Sequence, residues 1–173
     1  MSQPFLIVPR SILPLVSTIV LLAQIAPAQA AAARKGKERS AVQHQFLNPA
    51  GLSKPTGYTH VVTAQPGRMV FVAGQVALNA KGEVVGKGDL RAQTVQVFEN
   101  LKTALAAAGA TFDDVVKLNY YVVNMQPEHP AIIREARAKY LSPEHPPAGT
   151  LVGVTALARE EFLVEIEAVA VVQ

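Results

Sequence analysis

Two acids spaced two residues apart in an apolar run are the side chains of this sequence best suited to chemistry. They lie in Val164-Glu165-Ile166-Glu167-Ala168-Val169-Ala170-Val171. Read as a strand, the segment turns Leu163, Glu165, Glu167, Val169 and Val171 to one side. Phe162, Val164, Ile166, Ala168, Ala170 and Val172 turn to the other, because successive side chains alternate. The second side is wholly apolar and should pack on helices. The first sets two carboxylates among aliphatics, where acids are rarely buried unless paired or functional. A carboxylate held there can orient or deprotonate a water. The alternative is that both acids face solvent. Residues 147–154, just upstream, read as another strand, joined to this one by a polar loop.

Other chemistries find little support. The imidazoles are His44, His60, His129 and His145, and no two stand at i, i+2 or i, i+4. Two of them precede prolines, so they read as scattered loop residues and no metal site is expected. There is no Cys, which excludes disulfides, thiolate metal sites and a Cys nucleophile. No phosphate loop, dinucleotide fingerprint or serine elbow is present, and no cofactor is expected. Gly86-Lys87-Gly88 is too short to serve as a phosphate loop.

The acids must be positioned by a folded body, and the 173 residues suggest one domain with an extension. The formal charge is +3, but Arg10, Arg34, Lys35, Lys37 and Arg39 all fall at the start. From Ser40 onward 11 Lys and Arg face 12 Asp and Glu, a balance of −1. A near-neutral body without a basic stripe argues against nucleic acid as a partner. Residues 1–30 read as a signal peptide, with Arg10 before an apolar run and Ala28-Gln29-Ala30 before a cut at Ala31. An uncleaved anchor or a buried helix are the other readings. Pro14 and Pro27 interrupt the run, which is shorter than the roughly 20 residues that span a bilayer. The expectation is therefore an exported protein, periplasmic or secreted, with no membrane contact once the signal is removed. Residues 31–44 should be a flexible linker, leaving 45–173 as the domain.

Within the domain, residues 41–57 read as turns around Asn48-Pro49 and Lys54-Pro55. Residues 58–64 and 69–78 read as two strands of a hairpin, reversed at Gln65-Pro66-Gly67-Arg68. Gly74 inside the second strand implies either a bulge or something approaching the backbone closely. Val84 and Val85 suggest a short edge strand. Asp89 is a predicted N-cap for a helix whose stripe is Thr94, Val97, Phe98, Leu101, Ala104, Leu105 and Ala108, stopped by Gly109. Thr111 to Asp114 has the form of a capping box. Residues 115–123 read as a strand with Val116, Leu118, Tyr120 and Val122 on one face and Lys117, Asn119, Tyr121 and Val123 on the other. Residues 131–141 read as a second helix, with Ile132, Ile133, Ala136 and Tyr140 inward and Arg134, Glu135, Arg137 and Lys139 solvated. This order predicts an α+β layer with both helices on one side of a sheet. The far side, with Leu163, Val169, Val171, Met69 and Phe71, has nothing of its own to pack on, so self-association is expected.

Pro147-Ala148-x-Thr150 followed by Val-Glu-Ile-Glu-Ala-Val-Ala-Val resembles the C-terminal signature of the RidA/YjgF family of reactive-intermediate deaminases. The likeness runs back through Phe71-Val72-Ala73-Gly74-Gln75-Val76 and Phe112-Asp113-Asp114-Val115-Val116-Lys117, covering about residues 45–173. It implies a chorismate-mutase-like fold, a mixed sheet with two helices on one face, and a homotrimer with three clefts between subunits. Active members hydrolyse enamines and imines of 2-keto acids to the keto acid and ammonia. The resemblance makes Glu165 the water-positioning acid and Tyr58 the residue that closes the cleft, from a neighbouring subunit. Gly74 contributes backbone. Where active members carry Arg after Pro-Ala, this chain has Gly149. A guanidinium there would grip the substrate carboxylate with two hydrogen bonds. Removing one side of such a buried pair typically costs about 2–5 kcal/mol. Arg68 and Arg159 are the nearest substitutes by element, and Leu151 and Ala148 would leave an apolar floor. The expectation is a small organic ligand bound between subunits, with deaminase activity weak or lost. The alternatives are an imine or enamine deaminase working through Glu165, and a structural or chaperone-like trimer.

Overall fold

The computed structural model describes residues 44–65 and 67–172. Strands β1 (His44–Leu47) and β2 (Val61–Ala64) form a small antiparallel ribbon. The main elements follow in the order β3 (Arg68–Gln75), α1 (Leu90–Ala107), a 3-10 turn (Phe112–Asp114), β4 (Val115–Val123), α2 (His129–Arg137), β5 (Ala148–Val154) and β6 (Val164–Val172). The four longer strands make one mixed sheet in the order β3-β6-β4-β5. Only the β4–β5 pair is parallel. The fold is the expected α+β class, and both helices cover one face.

The alternation of β6 dictates that face. Val164, Ile166, Ala168, Ala170 and Val172 are all buried against the helices. Val70 and Val72 of β3 and Leu118, Tyr120 and Val122 of β4 extend the same layer. Helix α1 answers with Val97, Phe98, Leu101 and Leu105, each fully buried. Its start is set by the Asp89 carboxylate, which accepts from the Ala92 N–H at 3.0 Å. Its end is set by Gly109, whose φ of 69° lets the Ala110 N–H reach back to the Leu105 carbonyl at 2.9 Å. The predicted capping box forms between Thr111 and Asp114.

Five expectations need correction. The hairpin between residues 58–64 and 69–78 does not form. β3 pairs with β6, from Arg68 opposite Val172 to Gln75 opposite Ile166, and β2 pairs with β1. A turn signal says that the chain reverses, not which strand it will join. β3 finds in β6 a long partner whose helix-facing side is entirely apolar. Residues 44–47 were expected among turns and are strand β1, too short to show a period. Val115 takes the core position assigned to Val116, because the β4–β6 register shifts between Val115 and Lys117. Helix α2 begins two residues early, since Pro130 in the first turn has no N–H for the ladder to lose, and its ladder stops at Arg137. Val84 contributes a single bridge to Leu78 rather than an edge strand. Among the described residues no helix is long and apolar enough to cross a membrane.

One buried polar residue ties the last strand to the helix. Gln93 on α1 is fully buried; its amide donates to the Glu161 carbonyl at 2.6 Å and accepts from the Leu163 N–H at 2.9 Å. Both backbone groups precede β6, so the side chain replaces ladder bonds that the β5–β6 loop lacks. Gln93→Leu keeps the volume and orphans both groups, which should cost about 2–4 kcal/mol. Urea unfolding should show a lower midpoint at unchanged slope. A shift under about 1 kcal/mol would mean that water takes over both groups.

Candidate functional site

Strand parity decides where each candidate residue points. Gly149 and Leu151 lie opposite Leu118 and Tyr120 in the parallel β4–β5 pair, so they face the helix layer. Glu165 lies opposite Tyr121 and Glu167 opposite Asn119, on the other face. The sheet therefore separates the candidates into two groups.

On the open face, Glu165 is half-buried and folds back over Gly74. A Cβ at position 74 would stand 1.8 Å from Glu165 Oε1 and 2.9 Å from its Cγ. No side chain fits there without evicting the carboxylate. The β3–β6 register also shifts between Val72 and Gln75, so both readings of Gly74 hold, the bulge and the close approach. Glu165 accepts no hydrogen bond from the described residues, leaving both oxygens available to a water or ligand. Glu167 is different. Its Oε2 accepts from the Tyr121 hydroxyl at 3.0 Å and from the Asn119 amide at 3.2 Å. The two acids share a face but not an environment: one is tied down and one is not.

On the helix-facing side, at the β5 edge, Tyr58, Gly149 and Leu151 come together. They line a cavity of about 500 Å³ with Tyr120, Ile133, Arg134, Arg137 and Met125. A Cβ on Gly149 would lie 3.1 Å from Tyr58 Cβ, so a side chain at 149 would need Tyr58 to give by a few tenths of an ångström. Tyr58 is held in place by Thr59, whose N–H and hydroxyl bond the carbonyls of Pro147 at 3.2 Å and Pro146 at 2.6 Å. Ala148 is not part of the floor; it pairs with Lys117 and faces the open side. A hollow of about 690 Å³ lies behind Tyr58, between β1 and residues 143–146, but its Lys54 and Glu144 are charges of opposite sign and offer no single-sign site.

The expected substitutes for the missing guanidinium are elsewhere. Arg68 donates to the Ala108 carbonyl at 2.7 Å, and Arg159 lies over the Phe162 ring at 5.5 Å. The cations at the cavity are Arg134 and Arg137, which sequence reading placed on a solvated face. Both are half-buried, and Arg137 donates to the Tyr120 hydroxyl and the Gly57 carbonyl. Burial pushes the Tyr120 phenol up, and the Arg137 charge works against that rise. Glu135 and Lys139 do face outward, pairing with Arg91 at 2.5 Å and Glu99 at 3.5 Å. The helical period alone could not find this, because residues 56–58 fold over that side of α2. Among the described residues no three His, Asp or Glu side chains gather as a metal site would require.

The same division of residues between two faces of a mixed sheet can be compared with known proteins. A family model described as Endoribonuclease L-PSP matches residues 50–172. The chain belongs to that family, the group that includes the RutC and RidA proteins. Among its RutC-family relatives is protein PH0854 of Pyrococcus horikoshii, 41% identical over 119 residues, 68% of this chain and 89% of that protein. A 2-iminobutanoate/2-iminopropanoate deaminase of Dermatophagoides farinae is 34% identical over 109 residues, 63% of this chain and 82% of that protein. The crystal structure of the Rid-family protein YyfB of Yersinia pestis, described as of unknown function, superposes with a TM-score of 0.69 at 46% identity. It covers 75% of this chain and 98% of its own. In this RidA-family chain Glu165 of β6 lies over Gly74, and Gly149 stands beside an open cavity.

The tie between Tyr121 and Glu167 is measurable. The carboxylate accepting from the phenol raises the Tyr121 pKa, with burial and the charges of Glu167 and Glu165 adding to it. A raised phenol pKa contributes stability that is present below the ordinary tyrosine range and is lost as pH climbs through the folded value. Glu167→Gln should move the Tyr121 transition to lower pH. Tyrosinate absorbance, compared with Tyr121→Phe to isolate the residue, reads this directly. An unmoved transition would show that the hydrogen bond does not persist in solution.

Proposed function

We propose that this chain is an exported RidA-family protein that binds a small organic ligand in clefts between three copies of itself, with classical 2-imino-acid deaminase activity weak or lost. The division of the candidate residues carries the reading. Tyr58, Gly149 and Leu151 line a cavity at the β5 edge, whereas Gly74 and Glu165 meet on the opposite face. One subunit does not bring them to one ligand, and a neighbour could. The open face supports association: Phe71 is 72% exposed and Met69 56%, with the half-buried Val169 of β6 opposite Phe71. Such a patch is what a self-complementary interface would cover. Export rests on residues 1–30, which lie outside the described residues. Phe71→Glu should release monomers, seen as a fall in mass by light scattering. A parent protein that is already monomeric would end the cleft reading.

Weak deaminase activity follows from Gly149. No guanidinium extends from β5, and the cations that line the cavity come from another wall. The loss of about 2–5 kcal/mol corresponds to turnover roughly 30-fold to several-thousand-fold slower than in an active relative. The measurement is 2-iminopropanoate loss beside the Dermatophagoides deaminase. Equal rates would overturn this reading.

A second reading is favoured by the unbonded Glu165 carboxylate, seated over Gly74 where a water could be held against an imine or enamine carbon. Hydrolysis of a substrate without the usual carboxylate grip would then remain. Any such turnover should vanish in Glu165→Ala, and turnover that survives excludes this role.

A further inference from the structure

The open face of the sheet is not apolar throughout. Phe71 and Met69 stand exposed on β3, but a polar row crosses the middle strands, with Glu167 opposite Asn119 and Asn119 opposite Thr150. Lys117 lies one row away, opposite Val169 on β6 and Ala148 on β5. That register makes Lys117 and Glu167 diagonal neighbours, near enough for a long side chain to bridge. They do not pair. The Lys117 ammonium turns to the edge strand and donates to the Thr150 hydroxyl at 2.5 Å. The Glu167 carboxylate accepts through Oε2 alone, and only from the neutral Tyr121 hydroxyl and Asn119 amide. The ion pairs among the described residues join Lys87 to Glu161, Arg91 to Glu135 and Lys139 to Glu99, so neither charge on this face has a counter-charge.

Both side chains are half-buried already. In water such charges can stay unpaired. Under a covering surface they cannot, because losing hydration costs an ion far more than neutral hydrogen bonds return. Whatever covers Phe71 must therefore bring an anion to Lys117 and a cation to Glu167. A second copy of this chain carries both. The place is also defined: Lys117 and Glu167 line one hollow of about 390 Å³ beside Phe71, and Glu165 does not line it. We propose that copies of this chain lock together through an ion pair between Lys117 of one copy and Glu167 of the next, formed in this hollow. The assignment rests on the self-association reading above and names the contact that sets how the copies meet. Phe71 and Met69 supply apolar burial, which is indifferent to orientation. The charges are not indifferent. A slipped or reversed arrangement would set like charges together or bury both unpaired. Tyr121 and Asn119 fix the carboxylate through Oε2 and leave Oε1 for the incoming ammonium.

The test is a double-mutant cycle on the association constant of the full chain, read by light scattering over a dilution series. Lys117→Met and Glu167→Gln keep side-chain length, and the glutamine keeps an oxygen for Tyr121 and Asn119. Each single variant should weaken association at least about tenfold, and the double variant should be no weaker than the worse of the two. Combining Lys117→Glu with Glu167→Lys should recover mass that either reversal alone loses. Lys87→Met, which removes a lysine paired elsewhere, should leave association unchanged. Losses that multiply in the double variant, with no recovery in the swap, would overturn the ion pair and leave assembly through Phe71 standing. Coupling of Lys117→Met to Glu165→Gln instead would overturn the choice of acid. A parent chain that is monomeric across the series would overturn the ion pair and the self-association reading together.

Discussion

The placement of β4 between β5 and β6 is the constraint on which the structure depends. β5 and β6 are consecutive in the chain, and a simple hairpin would have paired them. Instead β4 takes hydrogen bonds from both, parallel to β5 and antiparallel to β6. β6 then becomes an interior strand that β3 can join, and β5 becomes an edge. The apolar side of β6 fixes where the helices go. An acid on a middle strand and a glycine on an edge strand, facing opposite ways, follow without further choice.

The edge position explains why Gly149 matters as it does. A residue missing from the middle of a sheet leaves a void that neighbours fill. At the edge, the space is bounded by Tyr58 on one side and by α2 on the other, and it stays open. Arg137 helps to hold that opening, since it links α2, β4 and the segment at Gly57 through two hydrogen bonds. On the other face Gly74 does the reverse. There the absence of a side chain is filled at once by the Glu165 carboxylate. Two glycines thus shape two surfaces, one by leaving room and one by admitting a functional group.

Much of this was legible because local rules act within a few residues. The Asp89 cap, the Gly109 stop, the Thr111–Asp114 box and the two faces of β6 depend on near neighbours or on simple alternation. The family signature at residues 147–150 and 164–171 carried the fold class. What escaped depends on partners far along the chain. β3 chose β6 over β2, and no turn residue records that choice. Arg134 and Arg137 looked solvated because their cover, residues 56–58, comes from about 80 residues upstream. Gln93 looked like one more polar helix residue, although its partners are Glu161 and Leu163. The Glu165 pairing with Gly74 was half visible: the glycine announced a close approach, but not what approached.

Strand order also sets a timetable. Until β6 exists, β3 has no partner in the main sheet, and β4 has only β5. Gln93 waits for Glu161 and Leu163, about 70 residues later, before its buried amide is satisfied. Helix α1 can form early, but the layer it packs on cannot close. Pairings this distant along the chain make for slow, all-or-none folding. A chain emerging from the ribosome would therefore stay open until nearly all of it had been made. The Glu165–Gly74 contact would be among the last to form, so the candidate site is also a marker of completed folding.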